Sequence, residues 1–413
     1  MISLNRFRLV KRGFQIHSLR SLSQQVAVAE SDTKPLYPPV KPKYPPGKWG
    51  RMSSKHAWKW YDQGAELLKI ENCKERLEAF SEKSRPGYWQ LTPFMKRHHS
   101  LSAAQYMTKT RVKHQVADFL SQMNFDEKIL GMATDLMQNL YSIQQMVESA
   151  ENMNAEKNQA LLRQMVTMFC SLAAKQNPHV KNYQVSENAR VESAWQRWGY
   201  EHPTIRTTTK DDGGCRFQVS YKPNFLVRSE HPLMPIMEGV DSLLPEEVVP
   251  TFTYSPNCFG FQSDSVKPKW LPGFQFGDPC EFGAVQVIDI SDYLAGAESE
   301  LNFGKHPQIV QELMDSCAVL AGNAWASSLA HYQGFNMHHD LTYPFCVNTI
   351  LTDTKRVIVS TYQLNTLALN LDGEGENANQ KENACWTSQL MTLNDADGKI
   401  SNEAIKLILS AFA

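Results

Sequence analysis

Phe345-Cys-Val-Asn-Thr-Ile-Leu351, Thr352-Asp-Thr-Lys355 and Val357-Ile-Val-Ser-Thr-Tyr-Gln-Leu364 decide the fold class. The outer stretches are β-branched and aromatic runs of strand length. The residues between them suit a turn, so the two runs pair as a hairpin. Upstream, residues 307–331 read as a long helix, with Pro307 suited to its first turn. Ala318, Ala321, Gly322, Ala324 and Ala326 make one stretch of that helix small, so another element can approach closely. Further strand-like runs lie at 216–221 and 284–290, and a last helix covers 402–412. Strands and helices therefore alternate from about residue 181, which favours a mixed α/β domain over 181–413.

Working outward, residues 63–180 read as helical. Residues 66–83 are charged and helix-prone. Ile129, Met132, Leu136, Leu140, Ile143 and Val147 recur at spacings of three and four, the mark of one buried helical face, with Asp126 as its N-cap. Leu161, Met165, Phe169 and Leu172 repeat the pattern. Seven of the 16 methionines fall in 123–168, which suits a plastic core or a helix–helix interface. The whole reads as α+β: a basic extended N-terminal arm, a helical middle region and a mixed α/β C-terminal domain.

Charge divides the chain more sharply than hydropathy does. Residues 1–60 hold 12 Lys and Arg against Glu30 and Asp32, a balance of +10. The 413-residue chain sums to −1, so residues 61–413 hold −11. A basic arm on an acidic body points to a polyanion for the arm and something else for the body. No apolar run approaches the ~20 residues that a bilayer-spanning helix needs. The eight cysteines include no C-x-x-C pair, which argues against a zinc knuckle or a thioredoxin-type site.

Residues 1–29 contain Arg6, Arg8, Lys11, Arg12 and Arg20 and no acid, with recurrent serines and Leu4, Phe7, Val10 and Phe14 on one helical face. That composition reads as a mitochondrial presequence and an address to the matrix. Residues 30–62 form a Pro-rich arm, in which the six prolines of 34–49 favour extended polyproline II. Lys41, Lys43, Lys48, Arg51, Lys55 and Lys59 are interleaved there with Tyr44, Trp49, Trp58 and Trp60. Cations neutralise phosphates and aromatic faces stack on unpaired bases, so these ten residues are the candidate RNA contacts. A solvated linker, or a P-x-x-P ligand at Pro39-Val-Lys-Pro42, accounts for the same composition.

Catalytic signatures are weak. No P-loop, dinucleotide turn, nucleophile elbow or H-E-x-x-H helix is present. Residues 395–403 resemble a calcium loop, but with Gly398 at the turn the first ligand position falls on Leu393 and the twelfth on Ala404; a turn before a helix fits better. His331, His338, His339 and Asp340 crowd together and are the one metal or acid–base candidate, against the reading of a polar loop after a helix. Asp372, Glu374 and Glu376 alternate with glycine as a solvated acidic loop does. No catalytic residue, metal or cofactor is assigned.

One more pattern bears on function. Ala330-His-Tyr-Gln-Gly-Phe335, Tyr343-Pro-Phe345, Tyr362-Gln-Leu-Asn-Thr-Leu-Ala-Leu369 and Asn383-Ala-Cys-Trp386 come in this order, preceded by Gly277-Asp-Pro-Cys280 with Phe282-Gly283 and, more faintly, by Tyr37-Pro-Pro39 and Tyr106-Met-Thr-Lys-Thr110. Together they resemble a family of mitochondrial ribosomal proteins first named for small-subunit protein S-thirty, also called programmed cell death protein nine, and since assigned to the large subunit. The match is specific over 275–390, and the helical stretch 115–200 departs from the family pattern. The resemblance implies a structural constituent of the mitochondrial large ribosomal subunit, in the matrix. Its implied partners are large-subunit rRNA, other mitoribosomal proteins and a paralogue, large-subunit protein thirty-seven, which shares the stretch around Gln363-Leu-Asn-Thr366. It implies neither DNA binding nor membrane insertion. The competing expectations are a matrix enzyme or metal-binding protein using the His331–Asp340 cluster, and a signalling adaptor using the Pro-rich arm.

Overall fold

The computed structural model describes residues 88–116, 120, 122–148, 154–198, 214–237, 248–250, 258–263, 268–301, 308–337, 339–369, 379–394 and 400–413, together with Lys69. The presequence, the arm with its ten candidate contacts, His338, and the loops at 371–378 and 395–399 lie outside these residues.

In chain order the elements are β1 (Tyr88–Leu91), α1 (Ser100–Thr108), β2 (Thr110–Lys113), α2 (Glu127–Glu148), α3 (Asn154–Gln176), β3 (Gln184–Glu187), β4 (Val191–Trp198), β5 (Gly214–Tyr221) and β6 (Phe225–Ser229). Then come β7 (Phe261–Ser263), β8 (Leu271–Pro272), β9 (Phe282–Asp289), α4 (Ser291–Leu301), α5 (Gln308–Tyr332), β10 (Phe345–Thr352), β11 (Arg356–Leu364), β12 (Asn383–Thr387), β13 (Met391–Thr392) and α6 (Asn402–Phe412). The fold is α+β. The larger sheet runs β2-β12-β11-β10-β9-β6-β3, with β13 also on β11; the smaller runs β7-β1-β5-β4-β8.

The expected hairpin forms, with β10 and β11 antiparallel and Thr352 opposite Val357. Asp353 closes its turn, accepting the N–H groups of Lys355 (3.0 Å) and Arg356 (2.6 Å) on one carboxylate oxygen. Helix α5 lies between the sheets. Leu313 to Ala330 is buried without a break, and a helix sunk on every side cannot be amphipathic. One core joins it to Phe217 and Val219 of the smaller sheet and to Val347, Leu351 and Tyr362 of the larger. The small residues noted in the sequence allow this: Gly322 sits directly against the Tyr362 side chain. A second core covers the opposite face of the larger sheet, where Met137, Leu162, Phe169 and Ile408 of α2, α3 and α6 pack on Val285, Ile350 and Val359. Fully burying a side chain such as Phe169 stabilises by roughly 1.5–3 kcal/mol.

Several expectations need correction. The stretch read as helical also supplies strands: β1 pairs in parallel with β5, and β2 in parallel with β12. These strands are four residues long and their partners lie far along the chain, so no local pattern announces them. The stripe read on α2 holds in part: Ile129 and Leu140 pack against the second core, and the side chains of Ile143 and Val147 lie outside the described residues. Ala133, Met137 and Tyr141 are buried, whereas Met132 and Leu136 are 44% and 42% exposed. Ala133 is too small to stand out in a hydrophobic count. The buried Tyr141 hydroxyl donates to the Thr354 carbonyl and turns that face inward. Asp126 does start α2, its carboxylate accepting the Lys128 N–H at 3.1 Å.

Candidate functional site

The stretches that carry the family resemblance meet in space. Phe335, Tyr343 and Phe345 form one aromatic group, with centroids 5.4 Å apart for Phe335–Tyr343 and 5.1 Å for Tyr343–Phe345. Gly334, at φ 93°, ends α5 in the left-handed conformation. The Phe335 N–H then reaches back to the Ala330 carbonyl (3.0 Å) and the Gly334 N–H to that of His331 (3.0 Å), a Schellman ending that satisfies otherwise orphaned carbonyls. Asp278, from the Gly277–Cys280 stretch, pairs with the buried Arg228 at 3.0 Å. Arg228 also donates to the Cys280 carbonyl (2.9 Å) and lies over the Phe274 ring.

At the end of β11 the same stretches build a buried polar lattice. Gln363 accepts the Ile236 and Met237 N–H groups (2.8 and 3.1 Å) and donates to the Met237 carbonyl (2.9 Å). Asn383 accepts the Asn365 and Thr366 N–H groups (2.8 and 3.1 Å) and donates to the Thr108 carbonyl (3.0 Å). Asp340 accepts the Thr366 hydroxyl (2.8 Å) and the Leu367 N–H (2.7 Å). The Tyr362 hydroxyl lies 2.8 Å from Thr110 Oγ1 and 3.1 Å from Asn323 Oδ1 of α5. Each side chain thus satisfies buried backbone or helix groups from a remote segment, and leaving such groups unpaired costs ~1–3 kcal/mol each.

Lys109 and Arg197, which composition did not single out, sit beside this lattice. Lys109 donates to the Asn379 carbonyl at 2.6 Å. Burial, then the neighbouring Arg197, brings its pKa down to about 8. Arg197 lies over the Tyr106 ring and donates to the Tyr106 carbonyl at 3.0 Å. The faint Tyr106–Thr110 resemblance was the available signal for Lys109; Arg197 carried none.

Among the described residues, the expected metal or acid–base cluster is not brought together; His338 lies outside them. His331 stacks on Trp270 at 4.6 Å with its Nδ1 2.8 Å from the Ser327 carbonyl, and burial depresses its pKa to about 4. Asp340 is committed to Thr366 and Leu367, and His339 turns with Asn336. No group of three or more potential ligands that could hold a metal ion occurs among the described residues. The buried thiols are pushed the wrong way for nucleophiles: burial raises Cys215 and Cys346 to about 12. The 395–399 part of the calcium-like loop lies outside the described residues, but Asn394 bridges to Ile400 and Ser401 caps α6 by accepting the Ala404 N–H. No described helix is long and apolar enough to cross a membrane.

Two open clefts are found among the described residues. One of about 620 Å³ is lined by Lys96, Lys222, Asn224, Asp289 and Asp292; Asp289 is occupied in capping α4 through the Ser291 N–H and hydroxyl (2.9 and 2.5 Å). Another, of about 510 Å³, lies beside α6 among His179, His231, Leu233 and Phe412. In the second, the Ser229 and Ser410 hydroxyls donate to the His231 and Leu407 carbonyls (2.5 and 2.7 Å) rather than to an imidazole.

These features define an α+β body whose characteristic residues tie remote chain segments to one another. The chain belongs to the family described as mitochondrial 28S ribosomal protein S30 (PDCD9), whose model matches residues 4–404. It is thus a mitochondrial ribosomal protein, and the motif residues are its structural ties.

Proposed function

We propose that this protein is a structural, non-catalytic constituent of the mitochondrial large ribosomal subunit. In this reading the arm at 30–62 contacts rRNA through Lys41, Lys43, Tyr44, Lys48, Trp49, Arg51, Lys55, Trp58, Lys59 and Trp60. The body docks on other ribosomal proteins, including the paralogous large-subunit protein thirty-seven. Residues 1–29 are its matrix address, and it neither binds DNA nor enters the membrane. The observation that carries the reading is the family match over 4–404, which runs through arm and body alike. The family's description bears a small-subunit number, whereas the motif resemblance implies the large subunit.

Sedimentation separates the two. With subunits dissociated at low magnesium, the tagged protein is expected in the large-subunit peak. A chain found only at the top of the gradient, with intact subunits alongside, overturns the proposal. Neutralising Lys41, Lys43, Lys48 and Arg51 together should weaken retention and lower the salt slope by roughly one unit for each phosphate that the arm no longer neutralises. An unchanged slope removes RNA from the arm's role.

A further inference from the structure

Phe276 is 94% exposed, in a segment that the protein otherwise holds firmly. It occupies the corner of a turn from Gln275 to Asp278, closed by the Asp278 N–H on the Gln275 carbonyl at 3.4 Å. The next residue, Gly277, has φ 88°, as the third position of a type II turn requires. The turn is braced from below. The Gly277 N–H donates to the Tyr332 hydroxyl at 3.3 Å, and Tyr332 packs on Phe274 at 4.8 Å and on Phe276 at 6.1 Å. Arg228 holds Phe274 and Asp278 at once. A large apolar ring on a braced turn loses little conformational entropy when it is covered, which is the property of an interface anchor.

The surroundings select the partner. Glu281 accepts from Gln333 at 2.8 Å and reaches Tyr332, Asp278 lies in the turn itself, and Glu230 follows directly on β6 and acts electrostatically on Cys280 beside it. Asp278 is spent inside the turn, on buried Arg228 (3.0 Å) and the Cys280 N–H (2.9 Å), which leaves Glu230 and Glu281 against the exposed Lys269 of the loop. A nucleic acid would bring phosphates against that acidic rim. A basic protein surface would not.

We propose that Phe276 is a docking anchor which inserts into an apolar cup on a basic protein neighbour, the carboxylates of Glu230 and Glu281 facing the cations at the cup's rim. This rests on the ribosomal reading above and names the chemistry of one neighbour. The test places a photoreactive phenylalanine analogue at 276 in the full-length chain, with a second probe at position 48 of the arm, and irradiates intact mitochondria. A 276 adduct to one identified basic protein, found in the sedimenting particle and accompanied by roughly tenfold weaker retention of Phe276→Ala, is the expected result. An RNA adduct at 276, or no adduct there while the arm probe reacts, overturns the anchor. Loss of sedimentation for the unaltered chain overturns the ribosomal reading instead, and the anchor with it unless the basic-protein adduct persists. Unfolding curves of Phe276→Ala should match the parent, because the ring is in solvent.

Discussion

Gly322 of α5 and Tyr362 of β11 are so close that a methyl group on Gly322 would stand 2.6 Å from the Tyr362 Cβ and 2.8 Å from its Cγ. Those atoms sit at the root of the side chain and cannot swing aside. Gly322→Ala should therefore destabilise the protein by about 1–3 kcal/mol, although alanine is the better helix former by about 1 kcal/mol. Urea unfolding of the purified chain decides it. A midpoint at or above the parent's would mean that helix and sheet are not in contact there.

Asn383→Ala removes two accepted bonds and one donated bond from the lattice. The Asn365 and Thr366 N–H groups then lose this partner, while the Thr108 carbonyl keeps the Thr110 hydroxyl at 3.3 Å, and a destabilisation of about 2–4 kcal/mol is expected in urea unfolding. Val185→Ala, at a half-exposed edge position, is the control and should stay within about 0.5 kcal/mol.

His331 makes stability depend on acid. Its pKa is lowered from 6.5 to about 4 in the folded state, mainly by burial. The unfolded chain binds the proton first, so this contribution is complete above pH 6.5 and is lost as pH falls towards 4, on the order of 3 kcal/mol in all. His331→Phe keeps a ring against Trp270 and should flatten the stability profile between those values. Parallel profiles would show that the histidine titrates normally.

Lys109 works in the alkaline range. With its folded pKa lowered from 10.5 to about 8, the charged form costs stability below pH 8, and that cost fades as pH rises to 10.5. Buried tyrosines and thiols, whose pKa values are raised, pull the other way because the unfolded chain ionises first. The difference between the parent and Lys109→Met isolates the lysine. Relative to the variant, the parent should gain stability from pH 8 to pH 10.5, and a constant difference would refute the assignment.

Legibility followed the distance between partners. The β10–β11 hairpin and α6 were readable because turn, cap and periodicity lie within a few residues of one another. The smallness of α5 was visible as well, though the second sheet packed on it was not. Strand β4 carries no plain strand signature because Glu192 and Arg197 are charged, yet both are buried, with Glu192 Oε1 held by Ser220 and Arg190 and Arg197 held by Tyr106. Of the candidate site, the arm, which shows in the sequence as charge and aromatics, lies outside the described residues, while the motif residues were legible as a resemblance. Their work as ties was not, since Asn383 serves Thr108 from 275 positions away. Phe276 is one phenylalanine among 19 until the turn beneath it is seen.

Composition and local pattern settled the α+β class and the basic arm on an acidic body, because charge, turn chemistry and periodicity are properties of short stretches, and the resemblance of a few short motifs pointed to the family. Tertiary structure alone decided which face of α2 is buried, that α5 is enclosed by two sheets, and that His331 and Asp340 serve different neighbours. Burial and pairing are set by groups that are remote in the chain, and only folding brings them within reach.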